Sequence, residues 1–295
     1  MSVVVLGILS AISWGLGDFG GGWTSRRVPV AGVLLFSQVG GAALSLVLAS
    51  WLGEGFPQPS DIGWAIVSSL FGGVGLACLY IGLARGRMGV VAPITGVMVA
   101  AIPAIAGIVL QGVPSSSVLV GIALAISSVV VVSRVGDAAD GRPSGWRWGL
   151  AAGVTLGAVT LTLSRMTPGL VFGPLTVMRL GEAGLIALAL VLAPVVAGPR
   201  LPGVRDARRA RPGWRIPRRF WLAVLAVGAC DSLGTACYIA ATQAGSLAIA
   251  GVLSALYPVT TVVLAIAILR EQLARWHVLG VALSGAAIVL ITAGA

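Results

Sequence analysis

Gly75-Leu76-Ala77-Cys78 and Gly234-Thr235-Ala236-Cys237 are one phrase written twice, 159 residues apart. Sliding the chain by that offset keeps Gly86 on Gly245, Ala106 on Ala265 and Leu110 on Leu269. It also sets Gly121, Ala123, Leu124 and Val130 on Gly280, Ala282, Leu283 and Val289. No gap is needed from the third apolar segment of each copy onward. Upstream the offset is 141, where Val30, Gly32, Leu34, Gly40, Ala42 and Leu44 meet Val171, Gly173, Leu175, Gly181, Ala183 and Leu185. Small and aliphatic matches are individually cheap in apolar helices, so the ordered set is what counts. A repeat of this kind in a membrane protein points to a transporter whose site lies where the halves meet.

The solvent is a bilayer. The chain is 58% hydrophobic and only 9% charged, with mean hydropathy +1.03, outside the range of soluble domains. Apolar stretches predict ten spans: about 3–22, 30–52, 62–83, 89–111, 116–134, 146–164, 172–197, 220–242, 247–269 and 276–294. Each approaches the roughly 20 residues needed to cross. Met1-Ser2-Val3 carries no basic n-region, so the first span reads as a retained helix rather than a cleaved signal. The fold expected is an all-α membrane protein, with ten transmembrane helices as two five-helix repeats around a central cavity. Five is odd, so the second copy enters from the opposite face and the repeats are inverted.

Residues 1–135 form the first repeat, 136–145 a polar linker, and 146–295 the second repeat. The latter carries an Arg-rich loop at 198–219. The offset widens by 18 residues across that loop, which marks an insertion. All 19 basic residues are arginine, and 17 lie in loops that follow odd-numbered spans. Even loops hold only Arg165, and Arg179 lies within a span. This bias puts odd loops in the cytoplasm and both termini outside. It also explains the +10 charge by membrane topology and lipid headgroups, with no nucleic acid required.

Ser13-Trp14-Gly15, then Asp18-Phe19, resembles the first span of the EamA branch of the drug/metabolite transporter superfamily. Gly245, Leu256-Tyr257-Pro258, Leu269-Arg270-Glu271 and Gly280-Val281-Ala282-Leu283 resemble its C-terminal signature. The first half repeats that signature with Gly86, Pro93, Pro103 and Gly121, but has Gln111-Gly112 where the second has Arg270-Glu271. The resemblance spans essentially the whole chain. It implies a bacterial inner-membrane exporter of small metabolites, often amino acids, with its cavity between the halves. It also implies cytoplasmic termini, against the arginine count.

Charges inside a bilayer are costly and are candidates for function. Asp231, Thr235, Tyr238 and Thr242 recur at i, i+4, i+7 and i+11, one polar stripe on span eight. Their counterparts Gly72, Leu76, Leu79 and Leu83 are small or apolar. Asp231 is therefore a candidate coupling or substrate-binding carboxylate, or else one tied to neighbouring hydroxyls. Asp18, one turn after Trp14, either faces the cavity or anchors Arg26 and Arg27. Arg179 and Glu182 stand at i, i+3 and can neutralise each other. A free Arg179 would instead hold a carboxylate bidentately. Their counterparts are Gln38 and Gly41.

Trp14, Tyr80, Tyr238 and Tyr257 sit deep enough to line a cavity, and Met98 is the counterpart of Tyr257. Substrate-site candidates are thus Trp14, Asp18, Gln38, Tyr80, Met98, Arg179, Glu182, Asp231, Thr235, Tyr238 and Tyr257. Pro93, Pro103 and Pro258 are candidate gating kinks, or ordinary packing kinks. Glu271 and His277 read as interfacial groups. Trp23, Trp51, Trp64, Trp146, Trp148, Trp221 and Trp276 read as an interfacial belt. Cys78, Cys230 and Cys237 lack metal-ligand spacing and read as small packing residues.

There is no phosphate loop, metal cluster or Ser–His–Asp set, so no enzyme and no cofactor are expected. The partners expected are a small-molecule substrate, protons and membrane lipids. The leading expectation is a secondary active exporter of a small polar metabolite, foremost an amino acid, working by alternating access. The alternatives are a proton-coupled exporter of hydrophobic cations, using cation–π walls, and a passive channel.

Overall fold

The computed structural model describes residues 2–25, 27–85, 88–132, 145–196, 214–269 and 275–294. Most of the linker, most of the Arg-rich loop, and Arg270 and Glu271 lie outside the described residues, as do the side chains of Pro93 and His277. Eleven α-helices and no strands occur among the described residues. They are α1 (Val3–Ser25), α2 (Val30–Leu52), α3 (Pro59–Arg85), α4 (Met88–Gln111), α5 (Ser116–Val132) and α6 (Trp146–Leu163). Then follow α7 (Phe172–Val196), α8 (Trp221–Ala244), α9 (Leu247–Ser254), α10 (Tyr257–Leu269) and α11 (Arg275–Gly294). Among the described residues, six helices are long and apolar enough to cross a membrane, and shorter apolar stretches run over Ser116–Ser128 and Leu247–Thr261. Lipid-facing positions carry bare hydrophobics such as Val109, Val191 and Leu222.

The expected ninth span is two helices. Pro258 has no N–H to donate, and its ring would press on the carbonyl four residues back, that of Ser254. The chain tightens there: Leu256 N–H donates to Leu253 O at 3.2 Å and Val259 N–H to Leu256 O at 2.9 Å. Its counterpart α4 runs unbroken through Pro93 and Pro103. Pro103 instead packs its ring onto Gly251 of α9.

The halves interlock rather than sit side by side. The most extensive packing joins α5 to α11, α1 to α8, α4 to α6, α3 to α6, α2 to α7, α3 to α7, α2 to α8, α4 to α9, and α1 to α9 and α10. Exchanging the halves maps this set onto itself. Aligning α1 with α6 at an offset of 142 makes the symmetry atomic. Gly7 and Gly15 then match Gly149 and Gly157. A β-carbon at Gly7 would lie 2.9 Å from Leu253 Cβ, and one at Gly149 would lie 2.9 Å from the Val91 carbonyl oxygen. Close backbone approach of this kind is how helices associate in lipid.

The axis relating the halves lies in the membrane plane, as two connections show. A β-carbon at Gly173 would meet Pro57 Cγ at 3.0 Å, and one at Gly32 would meet the Trp214 carbonyl oxygen at 2.7 Å. The two glycines are counterparts, yet the connections they receive, after spans two and seven, lie on opposite faces. The chemistry differs between them. On the even-loop face the Glu54 carboxylate accepts from the N–H groups of Val171, Phe172 and Gly173, at 2.8–3.3 Å. It thereby caps α7 from the other half. The N-terminus of α2 has no side-chain cap.

Two more ties join the halves on the even face, through Asp61 and Gln111, and a third, from Gln243, braces the second half. Thr167 N–H donates to Asp61 Oδ1 at 2.8 Å. Gln243 donates to the carbonyls of Thr167 and Leu170. Leu247 N–H donates to Gln111 Oε1 at 2.9 Å. Glu54→Ala would strand three backbone donors at a helix N-terminus, where a carboxylate also suits the dipole. A loss of about 1–2 kcal/mol is expected, read as a lower melting temperature in detergent, with Glu54→Gln recovering part of it.

Candidate functional site

Within the helix bundle, α1, α3, α4, α6, α7, α8 and α10 leave a cavity of about 70 Å³. That is about half the volume of an apolar cavity that admits benzene, and room for several waters. Its polar wall comes from Asp18, Thr160, Arg179, Glu182, Asp231 and Thr235, its aromatic wall from Trp14 and Tyr257, and its apolar wall largely from leucines and Met178.

Arg179 dominates the polar wall. Its side chain is only 2% exposed. Nη1 lies 2.8 Å from Glu182 Oε2 and 2.8 Å from Asp231 Oδ2. The same nitrogen donates to Gln38 Oε1 at 3.1 Å. Nη2 donates to Thr235 Oγ1 at 2.6 Å and to the Asp231 carbonyl at 3.1 Å. The expected Arg179–Glu182 pair thus forms, and is shared with Asp231 of α8. Gln38 and Arg179 are repeat counterparts and bond each other, so they sit beside the pseudo-two-fold axis.

Two side chains remain open. Glu182 is 1% exposed, and its Oε1 has no hydrogen-bond partner. A β-carbon at Gly72 would collide with that oxygen. The glycine is what seats the carboxylate. Asp18, half-buried, reaches the cavity from α1. It has no hydrogen bond or ion pair among the described residues.

Trp14 is clamped from several sides. Its indole N–H donates to Thr235 Oγ1 at 3.2 Å. The ring stacks on Tyr238 at 5.7 Å between centroids and meets Tyr257 edge-on at 6.3 Å. A β-carbon at Gly234 would reach within 2.5 Å of the ring. The indole is therefore a fixed wall.

Of the residues expected at the site, Trp14, Asp18, Arg179, Glu182, Asp231, Thr235 and Tyr257 share the cavity lining. Gln38 lies behind Arg179. Tyr238 lies behind Trp14, fully buried, and donates to the Thr160 carbonyl at 3.0 Å. Tyr80 is buried with its hydroxyl against Gly21, and Met98 packs on Gly153. None of these four is in the lining. Thr242 bonds back to the Ile239 carbonyl on its own helix. Thr160 lines the cavity but was not expected there. The α1–α6 register makes it the counterpart of Asp18 and was the available signal.

The family model that matches is the EamA-like transporter family, twice, at residues 1–134 and 143–293. The chain belongs to the EamA-like transporter family. It is accordingly a multi-pass membrane transporter of the drug/metabolite type, with that family's ten-helix, two-repeat fold. A solved crystal structure matches with a TM-score of 0.75 over 98% of each chain at 18% identity, a likeness of fold. A comparison with curated proteins found no match. The charged cavity is walled by residues of both halves.

Proposed function

We propose that the protein is a secondary active exporter of a small solute bearing an ammonium group, amino acids and simple organic amines both meeting that requirement. One observation carries this reading: among the charged groups of the cavity, Asp18 is the carboxylate with no partner among the described residues. Both terminal nitrogens of the cavity's guanidinium are already committed, to Glu182, Asp231 and Thr235, which leaves only Nε without a partner among the described residues. An ammonium would pair with Asp18 against the rings of Trp14 and Tyr257, a carboxylate with aromatic walls being good cation recognition. A substrate carboxylate would have to compete with two internal carboxylates for Arg179. The amine, rather than the carboxylate, is thus the group the site is built to take.

This bears on the amino-acid and cation alternatives. Arg179→Ala does not separate them cleanly, because the substitution also strands the Glu182 and Asp231 carboxylates. The direct test is counterflow in proteoliposomes, screening amino acids, amines and sugars against unmodified protein and Asp18→Asn. Uptake of amine-bearing compounds that Asp18→Asn abolishes supports the reading. Uptake of sugars alone would refute it, and ionic conductance without counterflow would favour a channel.

The same reading includes the bacterial cytoplasmic membrane, the arginine-rich odd loops in the cytoplasm and both termini outside. A C-terminal reporter active only in the cytoplasm should be silent, and an active one would reverse the orientation. Repeats at 1–135 and 146–295, joined by 136–145, supply the two bodies that rock. The break before Pro258 is the gating element favoured over Pro93 and Pro103, since α4 stays continuous.

A further inference from the structure

We infer that Glu182 is the carrier of a counter-transported proton, with Arg179 as the arm that reports its charge to Asp231. The inference rests on the transport reading above for its purpose, but on separate atoms for its substance. Three carboxylates, Asp18, Glu182 and Asp231, face one cavity with one guanidinium among the described lining residues. Deep in a bilayer such an excess of negative charge is expensive, so a proton or a cation has to balance it. Glu182 is the group arranged to hold the proton. It is 1% exposed, its Oε2 alone is used by Arg179, and its Oε1 is unpartnered. An ionised carboxylate wants acceptor bonds at both oxygens, whereas a carboxylic acid can carry its proton on the unpartnered one.

The groups around Glu182 fit this role. Arg179 of α7 pairs with it, Asp231 of α8 shares that guanidinium, and Asp18 of α1 lines the same cavity. The neighbours from α2 and α3 are the neutral Gln38 and the bare Gly72. Because one nitrogen of Arg179 spans both carboxylates at 2.8 Å, a proton on Glu182 Oε1 loosens Nη1 from Oε2. The guanidinium charge then serves Asp231 alone. Loss of the proton returns Arg179 to a shared position and leaves Asp231 under-neutralised. An arriving ammonium therefore meets a site whose net charge is set by Glu182. Gly72, where the other repeat has Asp231, is the positioning residue. It leaves the space into which Oε1 projects.

The first experiment needs no substrate. Infrared difference spectra of the lipid-reconstituted protein, taken through a pH titration, read the carboxylic-acid C=O stretch of buried acids. A titrating band is expected that is lost in Glu182→Gln, kept in Asp18→Asn, and shifted in Gly72→Ala. Glu182→Asp should restore a band. An unchanged band in Glu182→Gln, or no buried-acid band in the unmodified protein, overturns the inference. The second experiment uses ethanolamine and glycine as probes in proteoliposomes. Glu182→Gln should keep exchange of labelled for unlabelled probe while losing at least tenfold of pH-gradient-driven accumulation. Retained gradient-driven accumulation in Glu182→Gln refutes the proton role. If neither probe exchanges with unmodified protein, the substrate reading fails for these probes, while the infrared result still decides the proton site.

Discussion

Arg179→Ala is expected to abolish transport and to cost about 3–5 kcal/mol of stability, the usual penalty for removing one partner from a buried ion pair. The reason is electrostatic. The guanidinium bridges Glu182 and Asp231, offsetting part of their charge, and satisfies Gln38 and Thr235 besides. Its loss leaves two carboxylates facing each other in a low-dielectric interior. The variant should express poorly and melt early in detergent. The combined variant Arg179→Gln, Glu182→Gln, Asp231→Asn removes the charges together, and neutral groups of similar shape can replace a buried ionic cluster at little cost. It should recover most of the melting temperature and none of the transport. If Arg179→Ala melted like the unmodified protein, the cluster would contribute nothing to holding α7 against α8.

Asp18→Asn is expected to do the opposite: leave the fold intact and remove substrate binding. No hydrogen bond or ion pair joins Asp18 to a described residue, so the isosteric amide breaks nothing that can be named. A shift within about 0.5 kcal/mol is expected, as for positions without a structural partner. The charge-assisted bond to an ammonium is worth about 1.5–3 kcal/mol, so affinity should fall by about 10- to 100-fold. Asp18→Glu should recover part of it. Strong destabilisation by Asp18→Asn would show that the carboxylate serves packing instead.

The fold was legible because duplication and hydropathy are long-range patterns that survive in any one sequence. Offsets of 141 and 159 mark counterparts that the structure places in equivalent contacts, such as Gly32 with Gly173. The break in the ninth span was legible only as a kink at Pro258. Whether a helix bends or ends there depends on the packing around it, and Pro103 on α4 shows that the same residue need not break anything.

The site was legible in its charges and less so in its aromatics. A carboxylate or guanidinium in a span is costly against lipid, which singled out Asp18, Arg179, Glu182 and Asp231 as candidates while leaving cavity and structural roles open. A tyrosine carries no such signal. Tyr80 and Tyr238 are buried between helices, while Tyr257, at the head of α10, reaches the cavity. Helical periodicity gives a face, not the neighbour that covers it, and Trp14 covers Tyr238. Partners were hidden for the same reason. Nothing in the spacing of Arg179 and Glu182 tells that Asp231, 52 residues beyond Arg179 in the chain, completes the cluster. The capping of α7 by Glu54 needed the other half in place.

The central claim is that the cavity recognises an amine through Asp18 while Arg179 stays bound to its own carboxylates. Competition in counterflow tests it most directly, using compounds that lack one charge at a time. Glycine, ethanolamine and glycolate form one such series, and phenylalanine, phenylalaninol and phenyllactate form a larger one. Loss of the carboxylate, as in ethanolamine and phenylalaninol, should leave inhibition within about threefold of the parent amino acid, a difference under 1 kcal/mol. Loss of the amine, as in glycolate and phenyllactate, should abolish it. Inhibition by the hydroxy acids and none by the amino alcohols would contradict the account and make Arg179 the substrate's anchor.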